Sequence, residues 1–188
     1  IDRSLRQKGP DIELLRSLSE LSLSTPVIYG GGIYSVNDAI DTVKYGCERI
    51  IVDFLLNRNP KILKDIALKI GYQALIASIP LTIFNEKLYW FDYYEKSKKT
   101  NFDVLQMLSK NNFVSEFLLI DKDNEGMPNS FNHDVYKLFP IKEKPIILFG
   151  GISENSQIQR LLNEDNISSV AIGNFLNYKE HMIQSYKN

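Results

Sequence analysis

Short apolar runs alternate with amphipathic stretches along most of the chain. Residues 26–29 (Pro-Val-Ile-Tyr) read as a short buried strand that runs into Gly30, Gly31 and Gly32. Residues 35–46 follow as a helix, because Val36, Ala39, Ile40 and Val43 recur at helical spacing and Gly46 stops it. Residues 49–53 form a second strand, and residues 60–70 a helix with Pro60 in its first turn and Gly71 at its end. Residues 73–79 are a third strand, the aromatic stretch 88–94 is a hairpin or an ordered loop, and residues 101–110 are a helix. A strand at 116–121, a short helix at 134–139 and a strand at 145–149 running into Gly150 and Gly151 come next. The pattern closes with a helix at 154–162, a strand at 168–173 and a helix at 179–186. Strands that alternate with helices and are apolar on both faces predict a parallel α/β sheet. No Pro-, Gly- or Ser-rich linker interrupts the chain, so residues 1–188 are expected to form one domain.

An internal repeat sharpens this expectation. Pro26-Val-Ile-Tyr-Gly-Gly-Gly-Ile33 is echoed by Pro145-Ile-Ile-Leu-Phe-Gly-Gly-Ile152, which places Gly31-Gly32 and Gly150-Gly151 119 residues apart. Ile1-Asp2-Arg3 returns as Ile120-Asp121-Lys122 at the same offset, and Ile51-Val-Asp-Phe54 matches the block around 171–175 within a residue or two. A period this long describes a duplicated half-domain rather than a solenoid. Two such halves, each of four strand–helix units, make a (β/α)8 TIM barrel. The halves divide as residues 1–71 and 72–188. The second half has a strand and a helix before its Ile-Asp block, whereas the first half opens directly on its own, at Ile1. The first βα unit and most of the second strand are therefore expected to be missing, from a protein about 50 residues longer on the usual barrel scale.

Composition removes several function classes. The 188 residues carry 22 Lys plus Arg against 23 Asp plus Glu, so no net field points at nucleic acid or an anionic membrane. One cysteine cannot build an intrachain disulfide, which favours a reducing, cytoplasmic setting. No apolar run reaches the roughly 18 residues that span a bilayer. The two histidines, His133 and His181, lack metal-ligand spacing, so no metal is expected. Cys47, just ahead of a strand, reads as a small buried apolar residue.

Tyr29-Gly-Gly-Gly-Ile-Tyr-Ser35, Gly46-Cys-Glu-Arg-Ile-Ile-Val-Asp53 with Asn59-Pro60, Ser97-Lys-Lys-Thr-Asn101, Ile120-Asp-Lys-Asp123 and the closing Gly-Gly-Ile and Ala-Ile-Gly-Asn-Phe blocks occur in one order. Together they resemble the HisF family, the cyclase subunit of imidazole glycerol phosphate synthase. The Tyr-Gly-Gly-Gly spelling and the tail at 171–179 resemble a HisF-like branch of surface-polysaccharide gene clusters, linked to amidation of N-acetylated sugars. The resemblance implies a phosphorylated substrate, ammonia from a HisH-like glutaminase partner, and no cofactor.

It also implies two phosphate sites at the carboxyl ends of the strands, one per half. Glycine suits such a site because it lets backbone N–H groups approach closely. Gly31 and Gly32 match the first site; Gly150 and Gly151 match the second, where Gly173 replaces a serine and Asn174 lies next to it. Each glycine pair taken alone reads first as a tight strand-to-loop turn, and only the symmetric pair brings the phosphate reading level with it. Asp53 stands where the family binds phosphate through asparagine, and a carboxylate there repels a phosphate dianion unless a cation offsets it. Arg49 matches a lysine of the charged gate through which ammonia enters at the opposite end, with its glutamate partner open between Val114 and Glu116.

The acid–base positions depart from the family. The resemblance places one carboxylate in the missing first strand and a second, on the fifth strand, at Pro80, which can neither take nor give a proton. The sixth-strand aspartate survives as Asp123, the candidate catalytic residue, while Leu118 and Leu119 stand where the family has hydroxyl side chains. Two readings follow. One is a HisF-type subunit acting on a phosphorylated ribosyl-aminoimidazole precursor or on a nucleotide sugar. The other is a degenerate barrel that serves partner enzymes as a scaffold or ammonia conduit.

Overall fold

The computed structural model of the protein describes residues 3, 6–21 and 23–173. Asn174 and the helix expected at 179–186 lie outside the described residues. In chain order the elements are α1 (Ile12–Glu20), β1 (Ile28–Gly30), α2 (Val36–Lys44), β2 (Arg49–Val52), α3 (Phe54–Arg58), α4 (Ile62–Ile70) and a 3-10 turn (Tyr72–Ala74). They continue as β3 (Leu75–Phe84), β4 (Lys87–Asp92), β5 (Ser97–Lys99), α5 (Asp103–Lys110), β6 (Glu116–Asp121), α6 (Asp134–Lys137), β7 (Ile146–Phe149), α7 (Asn155–Leu162) and β8 (Ile167–Val170). The strands hydrogen-bond in the order β1-β2-β3-β6-β7-β8, with β4 on β3 and β5 on β4. The pairs β1–β2, β2–β3, β6–β7 and β7–β8 are parallel. Sequential parallel neighbours joined through helices place the chain in the α/β class as a partial (β/α)8 barrel.

The residues cluster into two compact units. The first comprises Ile1–Ser78, Asp92–Lys96 and Asn101–Glu116, and the second Ile79–Phe91, Ser97–Thr100 and Phe117–Asn188. The first is built on Leu15, Ile50, Val52, Leu55, Leu63, Ile66 and Leu75, all at most 1% exposed. The second is built on Phe117, Leu119, Phe139, Leu148 and Leu161 in the same condition.

Local chemistry sets the element ends. Ser35 and Asp38 form a capping box at the start of α2, and Gly46 follows its end at φ +98°. The buried stripe of α2 runs through Ala39 and Thr42, whereas Ile40, expected on the core face, is exposed. Thr42 tolerates burial because its hydroxyl donates to Asp38 O at 2.7 Å. The helix expected at 60–70 begins at Ile62 instead, since the preceding turns close with i to i−3 bonds, and Asp53 caps the separate short helix α3. The aromatic stretch is a hairpin strand, β4, antiparallel to β3.

Strand β3 runs to Phe84, past the expected end at 79 and through Pro80. A proline inside a central strand normally removes a ladder bond. Here Pro80 falls between two ladders: the parallel pairing to β2 ends at Ala77, and the antiparallel pairing to β4 is in register from Leu81.

Candidate functional site

The glycine pairs follow the carboxyl ends of β1 and β7 and share one backbone shape. Gly31 and Gly32 have φ +115° and +75°, and Gly150 and Gly151 have φ +103° and +70°. Each pair is also packed too closely for a side chain. A Cβ on Gly32 would lie 2.3 Å from Lys8 O, one on Gly150 2.5 Å from Asp121 O, and one on Gly151 2.5 Å from Ser130 Oγ. Glycine is thus demanded by the turn and by the neighbouring loop, whatever ligand the turn receives.

Two clefts open at these turns. In the first unit, Gly30, Gly31, Ile51, Asp53 and Ser78 line one cleft. Asp53 directs one carboxylate oxygen at the Phe54 N–H, 2.6 Å away, so it serves as the N-cap of α3 at the cleft wall. Ser78 is 4% exposed and was not among the expected residues. In the second unit, Glu125, Gly126, Phe149, Gly150, Gly151, Ile152, Ala171 and Gly173 line the other cleft. Gly173 therefore lines the same cleft as Gly150 and Gly151, and a Cβ on it would lie 3.1 Å from the Phe149 ring.

The acidic residues at the end of β6 divide into two kinds. Asp121 is 2% exposed and its Oδ2 accepts from Asn124 Nδ2 at 2.7 Å and the Asn132 N–H at 2.8 Å. Burial pushes its carboxyl above the usual carboxylate range, against the pull of those donors. Asp123 is the open one, with its side chain 46% exposed. It accepts a hydrogen bond from the Thr82 hydroxyl at Oδ2, and Lys122 Nζ lies 3.3 Å from Oδ1. Thr82 escaped the sequence reading, although Ser78, Pro80 and Thr82 alternate along β3 and so share a face. Leu118 and Leu119 are core residues.

At the amino end of the strands, Arg49 opens β2 and Glu116 opens β6. Arg49 Nη2 lies 2.6 Å from Glu116 Oε2 and donates to Ser115 Oγ at 2.7 Å, while its Nε donates to Gln73 O at 3.2 Å. The glutamate partner is thus Glu116; Val114 is fully buried. Asp53 follows the other end of β2, so charge and cleft in the first unit stand at opposite ends of one strand.

Among the described residues, no group of three or more His, Cys, Asp or Glu side chains is placed to hold a metal ion. His133 instead packs its ring about Phe131 and Tyr136. No described helix is long and apolar enough to cross a membrane.

The histidine biosynthesis protein family matches residues 1–182. An imidazole-4-carboxamide isomerase of Methanococcus maripaludis, whose name carries two phosphoribosyl groups, is 27% identical over 186 residues, covering 96% of this chain and 76% of that protein. Imidazole glycerol phosphate synthase subunit HisF of Staphylococcus carnosus is 25% identical over 169 residues, covering 88% of this chain and 66% of that protein. The HisF subunit of Flavobacterium psychrophilum is 27% identical over 180 residues, covering 94% and 70%.

Proposed function

Since this chain belongs to the histidine biosynthesis protein family, we propose that it is a HisF-like subunit that takes ammonia from a glutaminase partner and acts on a phosphorylated substrate. The isomerase and synthase relatives bear names built on phosphoribosyl or phosphate groups, and a substrate with two phosphates suits two glycine turns of equal shape. Gly31 and Gly32 hold one phosphate, and Gly150, Gly151 and Gly173 the other, through backbone N–H groups; Asn174 is proposed to join the second. A ribosyl-aminoimidazole precursor is the leading substrate class, with a nucleotide sugar of surface-polysaccharide amidation as the second.

The observation that carries the synthase reading over the isomerase reading is the Arg49–Glu116 ion pair at the amino ends of β2 and β6. Ammonia delivered from a partner calls for an entry that can open at that end, which an isomerisation does not use. On this reading a glutaminase docks at that end, and opening of the pair lets ammonia enter.

Pro80 favours a second reading. Without a carboxylate at that position, the barrel could pass ammonia onward without completing ring closure itself. Phosphate binding separates the two. Millimolar phosphate or a bis-phosphate analogue should raise the melting temperature and shift the NMR signals of Gly32 and Gly151. If both ligands leave the melting temperature and those signals unchanged, the substrate-binding reading is lost and only the conduit remains.

A further inference from the structure

We infer that Thr82 is a positioning residue for Asp123, an inference that rests on the functional reading above. Thr82 is 3% exposed on β3 and is held in register opposite Tyr89 of β4. Its hydroxyl donates to Asp123 Oδ2. The neighbouring backbone is tied to the same strand, because the Lys122 N–H donates to Leu81 O at 3.0 Å. Asp123 would otherwise be a half-exposed side chain just beyond the end of β6, free to sample several rotamers.

The two oxygens of Asp123 thus have unequal partners. Oδ2 meets a buried hydroxyl on a rigid strand. Oδ1 meets Lys122 Nζ, a flexible ammonium that also lies 4.5 Å from the Phe91 ring centre. Lys122 can swing away, whereas Thr82 cannot, so Oδ1 is the oxygen presented for proton transfer. Asp123 takes a substrate proton there, becomes the neutral acid, and returns the proton to product or water. Thr82 keeps its own proton throughout. Asp121 cannot substitute, since it is buried and its Oδ2 is committed to Asn124 and Asn132. Position 82 lies two residues beyond Pro80 on the same face of β3, so the strand that lacks the expected carboxylate supplies a hydroxyl that orients another one.

The test combines turnover with folding. With ammonium as nitrogen donor and a bis-phosphorylated ribosyl-aminoimidazole as substrate, Thr82→Val should lower kcat about tenfold while KM stays within about twofold. Thr82→Ser should recover kcat to within about threefold, and adding Thr82→Val to Asp123→Asn should lower it no further. Wild-type kcat in Thr82→Val, or Thr82→Ser as slow as Thr82→Val, overturns the inference. Melting temperatures of the two single variants and the double variant read the pair without turnover. Non-additive shifts are expected, and additive shifts overturn the inference. Non-additive shifts in the variants together with no turnover in wild type overturn the functional reading instead, leaving the orienting bond in place.

Discussion

Asp38 and Gln157 hold the same station 119 residues apart. Asp38 Oδ2 accepts the Tyr34 N–H at 3.0 Å, and Gln157 Oε1 accepts the Ser153 N–H at 3.1 Å. Each bond closes the turn between a glycine pair and the helix that follows it, so the repeat reaches past the glycines into hydrogen-bond chemistry. A carboxylate and a carboxamide serve the same N–H because the turn needs only an acceptor oxygen four residues on.

Gln157→Ala should cost about 1–3 kcal/mol of stability, because the Ser153 N–H is left buried without its acceptor. Asp38→Ala should cost about 1 kcal/mol, since water reaches that cap more readily. Urea denaturation reads both. Equal stability of Gln157→Ala and wild type would contradict the assignment.

The glycines separate conformational strain from crowding. Gly126 has φ +85° with open space around it, so Gly126→Ala should cost about 1 kcal/mol for backbone conformation alone. Gly32→Ala drives a methyl into Lys8 O, and Gly151→Ala drives one into Ser130 Oγ and the Phe131 backbone. Both should cost more than about 2 kcal/mol, with Gly32→Ala the worse because its nearest neighbours are all backbone and the closest lies at 2.3 Å. Thermal melts that rank Gly126→Ala lowest would be inconsistent with this packing.

Burial of Asp121 gives stability a pH signature. Its folded carboxyl titrates above the unfolded value, so the native state binds the extra proton between the two. This contribution is present below the unfolded carboxylate range and is lost as pH rises through the higher folded value. Asp121→Asn should remove that slope, making stability flatter across the acid range in urea titrations at several pH values. An unchanged slope would show that another group carries it.

Arg58 sets the β4–β5 turn. It lies 3.7 Å from the buried Asp92 carboxylate, pairs with Glu95 at 2.5 Å and sits 5.7 Å from the Tyr94 ring centre. Asp92 Oδ1 in turn accepts the Tyr94 and Glu95 N–H groups. Arg58→Met should destabilise the protein by about 1–3 kcal/mol by leaving Asp92 buried beside fewer donors. Asp92→Asn in the Arg58→Met background should restore part of that loss. If it restores nothing, the buried charge is not the cause.

Much of the architecture was legible because alternation and glycine pairs report directly on strands and turns. Strand β6 matches its expected bounds, since four consecutive apolar residues between Glu116 and Asp121 leave little choice. Helix α1 was missed because only Leu15 of its apolar residues is buried, and its signal was the cap, Asp11, which accepts the Leu14 N–H. Helix α3 is hidden in the sequence because Asp53, its cap, stands where the resemblance implies a phosphate ligand. The continuation of β3 past Pro80 was hidden by the usual meaning of proline, which holds only where a ladder bond is needed. The resemblance leaves the gate glutamate's position open between 114 and 116, and the pairing of Arg49 with Glu116 is visible only in three dimensions.

The most direct measurement is turnover driven by glutamine against turnover driven by ammonium, with the glutaminase partner present, in wild type and in Arg49→Met. Wild type should use both donors, and Arg49→Met should lose most glutamine-driven turnover while keeping most ammonium-driven turnover. Equal loss of both, or no glutamine-driven turnover in wild type, would contradict a partner-fed portal at Arg49 and Glu116.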